Sequence, residues 1–522
     1  PRTSDGDDDN GRFSKDYNDI TNMTWSNILT YQTKIKKKHN LDLLAGYEIN
    51  SKESDGLGTT ISNFARWDKP EVNNGVVYQS MGGSNSTTRI VSYITRANYD
   101  YDNKYYLGAS WRTDGSSRLA RENRWGNFWS LSGAWRVSSE SFMKPLQNWL
   151  SDLKLRVSYG VNGTLPSSYY GYMGLSSLTS NYNDNPGIKQ SQLENKELTW
   201  ETNYNFNSGI DLGFFDNRLN VTFEYYVRTT KNLLYSRPLS LATGFSSYLA
   251  NIGKLQNKGY ELEIRSTNIE TKDFRWSTSL NLGHNANKIL KLDGDLKQVT
   301  SGTSIHKVGL PYSTYYMIEF AGIDPVDGEP MFYKNTTDEN GNLNKETTKD
   351  PRSAEKVILQ CADPTITGGL GNSISYKWFD LNFNVNFSFG AWNYDGAAGK
   401  LEHGGDGTLN IPIYYRKRWQ KEGDETSIER FVVGRSISMT DYATTRRLYS
   451  GDYVRLKNLT FGFTLPKTWT RKVGIDNIRL YASGNNLLTW AAYDYIDPES
   501  GSSPSWDTPP MRTYTFGLEV KF

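Results

Sequence analysis

FDLNFNVNFSFGAW, Phe379 to Trp392, is the stretch that decides the fold. In an extended chain Phe379, Leu381, Phe383, Val385, Phe387 and Phe389 project to one side, and Asp380, Asn382, Asn384, Asn386, Ser388 and Gly390 to the other. A period of two marks a β-strand with one apolar and one wet face. Removing six such side chains from water is worth on the order of 10 kcal/mol, at roughly 1.5–3 kcal/mol each, so the apolar face must meet either a protein core or lipid.

The same pattern recurs along the chain. LNVTFEYYV places Leu219, Val221, Phe223, Tyr225 and Val227 opposite Asn220, Thr222, Glu224 and Tyr226; LKLRVSYGV (Leu153 to Val161) sets Lys154, Arg156, Ser158 and Gly160 against its apolar residues. The segment YTFGLEVKF alternates Tyr514, Phe516, Leu518, Val520 and Phe522 with Thr, Gly, Glu and Lys. Periodicity predicts about fifteen strands, near 22–35, 39–51, 87–100, 104–114, 125–139, 151–162, 197–213, 217–230, 255–268, 273–289, 365–377, 380–391, 452–465, 476–489 and 511–522. Most run well past the five or six residues usual in soluble sheets. A tilted membrane strand needs about nine to eleven.

Connections read short, long, short, medium, medium, long and then alternate short and long, with tight turns at Asp102-Asn103, Asp216-Asn217 and Trp378/Phe379 and long excursions at 290–364 and 392–451. Outer-membrane barrels put tight turns at one rim and long loops at the other, which a sandwich or propeller has no reason to do. Aromatics gather at predicted strand ends: Tyr99, Tyr101, Tyr105 and Tyr106, then Phe214 and Phe215, then Trp378 and Phe379, as interface belts require. The longest apolar runs are about four residues, such as Tyr315 to Ile318, too short for a transmembrane helix. A membrane is then crossed only by closed strands, since lipid offers backbone groups no partner. A mean hydropathy of −0.66 fits a polar lumen with long loops. The expected fold is all-β, a transmembrane antiparallel β-barrel with long extracellular loops.

Charge and composition exclude several functions. The 59 basic and 57 acidic residues nearly cancel, and the only dense basic run, KIKKKH (Lys34 to His39), reads as a solvated turn, which argues against nucleic acid. The single Cys361 rules out an internal disulfide and a cysteine-based zinc cluster. Histidines 39, 284, 306 and 403 stand far apart with no HExxH spacing. DGDDDNG (Asp5 to Gly11) only loosely approaches a calcium loop, because Asn10 stands where glycine belongs. IDPVDGEP (Ile323 to Pro330) reads as turn chemistry, and no serine sits in a GxSxG setting. No metal, cofactor or catalytic constellation is expected.

What remains is recognition. Sugars stack apolar ring faces on aromatics while polar groups fix their hydroxyls, and peptides use similar surfaces. The candidates in the long loops are Trp392, Tyr394, Tyr414, Tyr415 and Trp419, beside Arg416 and Arg418, together with Tyr169 and Tyr170 of SSYYGYMG. An odd strand count puts the ends of the sheet on opposite sides, whereas single-chain bacterial barrels close with even numbers. Residues 1–21 are therefore expected in an extracellular loop and 22–522 in the C-terminal portion of a larger barrel.

SGDYVRLKNLTFGFTLPKTWTRKVGIDNIRLYASGNNLLTW (Ser450 to Trp490), followed by YDYIDPESG and PPMRTYTFGLEVKF, resembles the C-terminal barrel signature of SusC/RagA-type TonB-dependent transporters. LENKELTWETNYNFNSGIDLGFFDNRLNVTFEYYVRTTKNLL (Leu193 to Leu234) and NIGKLQNKGYELEI (Asn251 to Ile264) add to the resemblance, which runs over most of residues 90–522. It implies a barrel of twenty-two strands in a bacterial outer membrane, a plug domain and first strands outside this chain, and TonB acting through that N-terminal part. It also implies a SusD-like lipoprotein lid and a glycan or peptide substrate. A siderophore or cobalamin receptor, an outer-membrane enzyme and a passive adhesin stand as alternatives.

Overall fold

Fifteen long strands form one antiparallel sheet in which order along the chain is order in the sheet. They are β1 (Arg12–Ile35), β2 (His39–Phe64), β3 (Gly75–Tyr101), β4 (Tyr105–Ser116), β5 (Trp125–Arg136), β6 (Leu150–Thr164), β7 (Glu201–Phe214), β8 (Leu219–Lys231), β9 (Lys254–Glu270), β10 (Phe274–Lys291), β11 (Ile366–Tyr376), β12 (Phe379–Phe389), β13 (Tyr453–Thr464), β14 (Asn477–Ala491) and β15 (Thr513–Lys521). This computed structural model describes residues 10–66, 68–178, 181–183, 185–292, 294, 296–338, 342–405, 410–434, 442–493, 496–500 and 510–522. Asp5 to Asp9 of the calcium-like run lie outside the described residues.

Connections at one end of the strands are 36–38, 102–104, 137–149, 215–218, 271–273, 377–378 and 465–476, five of the seven having four residues or fewer. Those at the other end are 65–74, 117–124, 165–200, 232–253, 292–365, 390–452 and 492–512. The β3–β4 turn has φ 55° at both Asp102 and Asn103, the left-handed pair that a two-residue hairpin turn needs to match strand twist. Asp and Asn tolerate that region because their short side chains bond locally; here the Asn103 amide donates to Asp100 Oδ1 at 3.2 Å.

The first three strands are longer than their apolar alternation. β1 begins at Arg12, so residues 12–21 are strand and not the extracellular loop expected from the sequence. Arg12 pairs with Ser62 and the register runs unbroken to Ile35 opposite His39. The backbone ladder needs no apolar side chains to continue, and these residues are mostly polar on both faces, which hid them from a period-two search. β2 and β3 likewise extend past 51 and before 87.

The chain divides into two compact units, Pro1–Trp135 with Val157–Phe206 and Thr229–Gly253, and Arg136–Arg156 with Asn207–Arg228 and Lys254–Phe522. In the first, the apolar faces of β4 to β6 are open: Leu107 is 62% exposed, Leu131 57% and Val157 49%. Trp125 and Trp135, ten positions apart on β5 (135 − 125), lie about 34 Å apart along the strand. At a tilt of 35–45° that is about 25 Å along a barrel axis, the height of an outer-membrane apolar band. Each heads an aromatic row, Tyr47–Tyr93–Trp125 and Tyr101–Tyr105–Trp135, with ring centroids 5.1–6.4 Å apart. Tyr106 instead folds its hydroxyl onto the Asn103 carbonyl, 2.6 Å away. The unit's dry core is small: Leu119, Phe128, Leu198 and Trp200.

The second unit repeats the arrangement. Phe223 and Tyr260 are exposed on the oily side, and the short-turn ends of this unit carry the aromatic pairs Trp149–Phe214, Phe274–Tyr376 and Phe379–Phe463. In FDLNFNVNFSFGAW, Phe379 is 42% and Phe389 41% exposed, and among the described residues none of Phe379 to Phe389 belongs to a dry cluster. On the opposite face Arg156 donates to Asp211 at 2.8 and 2.9 Å and to Glu224 at 2.7 Å, a polar wall linking β6, β7 and β8.

Candidate functional site

Two features of the second unit offer binding chemistry, an open groove on the wet wall and a platform built from the long loops. The groove, about 720 Å³, runs across β8 to β12 and is lined by Thr222, Glu224, Glu261, Asn281 and Asn386, with Tyr453 at its edge. Gly369 keeps its floor smooth, because a Cβ there would stand 2.8 Å from the Asn281 amide oxygen and 3.4 Å from that of Asn386.

The platform grows from connections 292–365 and 390–452. Trp392–Tyr394 forms a short strand paired with Leu448–Ser450. The Tyr315 hydroxyl clamps it, donating to the Trp392 carbonyl and accepting from the Tyr394 amide, each at 3.2 Å. Tyr315, Met317 and Leu448 form the dry centre, with Trp392 and Tyr394 packed against them. Asp395 caps the following helical turn by accepting from the Ala398 amide at 2.7 Å, and also accepts from the Tyr493 hydroxyl at 3.0 Å. Tyr493 in turn stacks on Tyr449 at 3.8 Å and 11°.

Beside this centre lies a buried ionic network. Glu429 is 0% exposed and takes a charge-assisted bond from Arg446 and one from the Tyr415 hydroxyl at 2.8 Å. Glu402 accepts from the Tyr414 hydroxyl at 2.5 Å and from Arg447 Nε at 3.3 Å, with Arg446 Nε 3.7 Å away. Two carboxylates thus face two guanidiniums with two phenols completing their shells, the condition under which buried charge is tolerated. Burial first, and then Glu429, push the Tyr415 phenol far above its ordinary value; burial and Glu402 do the same to Tyr414. Burial alone would lower the Arg446 guanidinium, but Glu429 and then Glu402 outweigh it and hold it charged.

Of the seven aromatic candidates, Trp392, Tyr394, Tyr414 and Tyr415 come together in this platform. Tyr415 is 1% exposed, so in this structure it is an internal strut and presents no contact surface. Trp419 packs on Gly328 and donates its indole N–H to the Pro325 carbonyl at 3.0 Å. It covers the 323–330 turn, where Gly328 has φ 72° and Asp324 and Asp327 share Lys349 at 2.6 and 2.7 Å. Tyr169 and Tyr170 belong to the first unit. Arg118 lies 4.4 Å over the Tyr169 ring, and the Tyr170 hydroxyl accepts from the Thr87 amide at 3.0 Å.

The sequence reading missed Glu402, Glu429, Arg446 and Arg447. The Arg-Arg pair just before the alternating stretch at Tyr453 was a usable signal; the carboxylates carried none. A second lock, also missed, joins the last long loop to β13. Arg455 bonds Asp497 at 2.6 Å and Glu499 at 2.7 Å, and Lys457 reaches Glu499 at 2.6 Å. Among the described residues no three His, Cys, Asp or Glu side chains converge as a metal site.

Comparison with known proteins agrees with this architecture. The family model for TonB dependent receptor-like β-barrels matches residues 2–487. TonB-dependent receptor P3 of Formosa agariphila is 33% identical over 553 residues, covering 98% of this chain and 53% of that protein. TonB-dependent receptor SusC of Bacteroides thetaiotaomicron is 30% identical over 461 residues, covering 83% and 44%. The structure of the RagAB peptide transporter superposes with a TM-score of 0.86 at 28% identity, over 98% of this chain and 56% of that one. The chain spans about half the length of the curated relatives it matches. With its oily strand faces, wet wall and long-loop platform, this chain belongs to the TonB-dependent receptor-like β-barrel family of the bacterial outer membrane.

Proposed function

We propose that this chain is the C-terminal wall and outer-loop portion of an active importer that takes up oligosaccharides, or oligopeptides, across the outer membrane. In this reading a plug and the remaining strands complete the barrel, TonB drives plug movement, and a SusD-like lipoprotein closes over the loops. The observation that carries it is the pairing of a lipid-facing sheet with a platform of aromatics and satisfied buried charges. Such a platform can hold a shape against cargo. Similarity to SusC and RagAB supports this type of importer over a siderophore or cobalamin receptor. RagAB is a peptide transporter, which keeps oligopeptides beside glycans as cargo. The test is growth of a deletion strain on a panel of glycans and peptides, together with pull-down of the tagged full-length protein. Growth defects on one cargo class and recovery of a lipoprotein support the reading; undiminished growth on every member overturns it.

A further inference from the structure

The oily face of the second unit carries one continuous polar seam. Leu262, Ile264 and Ser266 of β9 stand opposite Leu282, Leu280 and Thr278 of β10, and Leu280, Thr278 and Trp276 stand opposite Leu370, Asn372 and Ile374 of β11. Ser266, Thr278 and Asn372 therefore share the face of the leucines. A register shift between Thr267 and Ile269 leaves Asn268 as an extra residue, and its side chain joins the same row. The Ser266 hydroxyl donates to Asn268 Oδ1 at 2.7 Å, Asn268 Nδ2 to Thr278 Oγ1 at 2.7 Å, and Thr278 Oγ1 to Asn372 Oδ1 at 2.8 Å. Trp276 Nε1 also donates to Asn372 Oδ1, at 2.9 Å.

All the donors run toward Asn372, whose oxygen is used twice. Its amide N–H groups have no acceptor among the described residues. In hydrocarbon an unsatisfied donor is costly because no water can replace the partner. The one solvent at hand that offers oxygen acceptors is the lipid itself. Asn372 lies four residues inward of Tyr376, the aromatic end of β11, about 10 Å deeper along a tilted strand. Just beyond Tyr376, the Lys377 ammonium lies 5.5 Å from the Tyr376 ring centroid and has no ion-pair partner among the described residues. A cation at the aromatic level and an amide donor one layer deeper match the two polar layers of a glycerophospholipid, phosphate outside and ester carbonyls inside.

We propose that this seam binds one phospholipid of the leaflet on the short-turn side, with an ester carbonyl accepting from Asn372 and the phosphate at Lys377. The site needs only the outer-membrane placement of the sheet and is independent of which cargo is imported. The test uses the full-length protein extracted from outer membranes in mild detergent, with retained phospholipid counted by mass spectrometry after washing. The wild type is expected to keep about one phospholipid per chain. Asn372→Leu removes the bond to the ester carbonyl, together with those from Thr278 and Trp276, and is expected to lower retention about fivefold, Lys377→Gln to do likewise, and Asn384→Ala on the wet face to leave it unchanged. Heat-shifted gel mobility checks that each variant is folded, with Thr278→Val as a second probe of the seam should Asn372→Leu fail that check. Equal retention in the seam variants overturns the proposal. So does a photo-crosslinker at Ser266 that captures a protein in native membranes and no phospholipid.

Discussion

Glu429 offers the sharpest test of the loop platform. Changing it to Ala leaves Arg446, a side chain only 11% exposed, without its nearest carboxylate, and leaves the Tyr415 hydroxyl without its acceptor. Breaking a buried pair by removing one partner costs about 3–5 kcal/mol. Glu402, 3.7 Å from Arg446 Nε, recovers part of that, so the lower end, about 3 kcal/mol, is expected. The wall strands do not depend on this contact, so the loss appears as local opening of 410–434 and 442–452. Three kcal/mol is about a 150-fold rise in the opening equilibrium, read directly as faster amide hydrogen exchange in peptides from those segments of the full-length protein in detergent. Peptides from β12 and β13 are expected to exchange at the wild-type rate. A double change, Glu429→Leu with Arg446→Met, is expected to restore most of the protection, because a well-packed apolar pair can replace a buried ion pair. Exchange within threefold of wild type in the single variant would refute the claim that this network holds the loops.

Three further outcomes follow from the wall and turns. Leu131→Arg, in the open apolar face of β5, is expected to cost about 2–4 kcal/mol in urea unfolding of the full-length protein from lipid vesicles, whereas Asn384→Arg on the wet face costs much less; equal costs would deny that the two faces meet different solvents. Gly259→Ala would drive a Cβ into the His284 carbonyl oxygen and to 2.7 Å from the Tyr226 hydroxyl, so the heat-modifiable folded band should weaken clearly, by about 1–3 kcal/mol of overpacking or more. Hydrogen bonds from Lys349 hold Asp324 and Asp327 below the usual carboxylate value of 3.8. A depressed folded value contributes stability above pH 3.8 that is lost as pH falls below it. Protease cleavage within 323–330 is expected to rise between pH 4 and pH 2 with an acid-active protease, and Lys349→Met should weaken that pH dependence, the Val326 and Glu329 amides still favouring the charged carboxylates.

The wall was legible in the sequence because a strand between lipid and a wet lumen has no freedom in its period. Phe379 to Phe389 could be assigned face by face, and the turn at Asp102-Asn103 followed from residues that accept positive φ. The outer reaches of β1 to β3 were not legible, since segments such as RFSKDYND extend a backbone ladder without an oily side to announce it. The platform was half legible. Aromatics in long loops flagged Trp392, Tyr394 and Tyr414, but the carboxylate that orders Tyr414 bonds an arginine 45 residues away. No spacing rule reaches across such a gap. Tyr415 was read as a contact residue from its type alone, and only burial assigns it to the interior.

The alternation of connections has a consequence for how such a protein diversifies. Hairpins such as Asp102-Asn103 and Lys377-Trp378 fix strand pairing at one rim, so register is decided before the opposite rim is reached. Loop closure entropy rises only slowly with length, by about 0.6 kcal/mol for each doubling. A segment as long as 390–452 can therefore be rewritten, lengthened or exchanged with little penalty to the staves beneath it, and new appetites can arise by editing the crown while the cask is left alone.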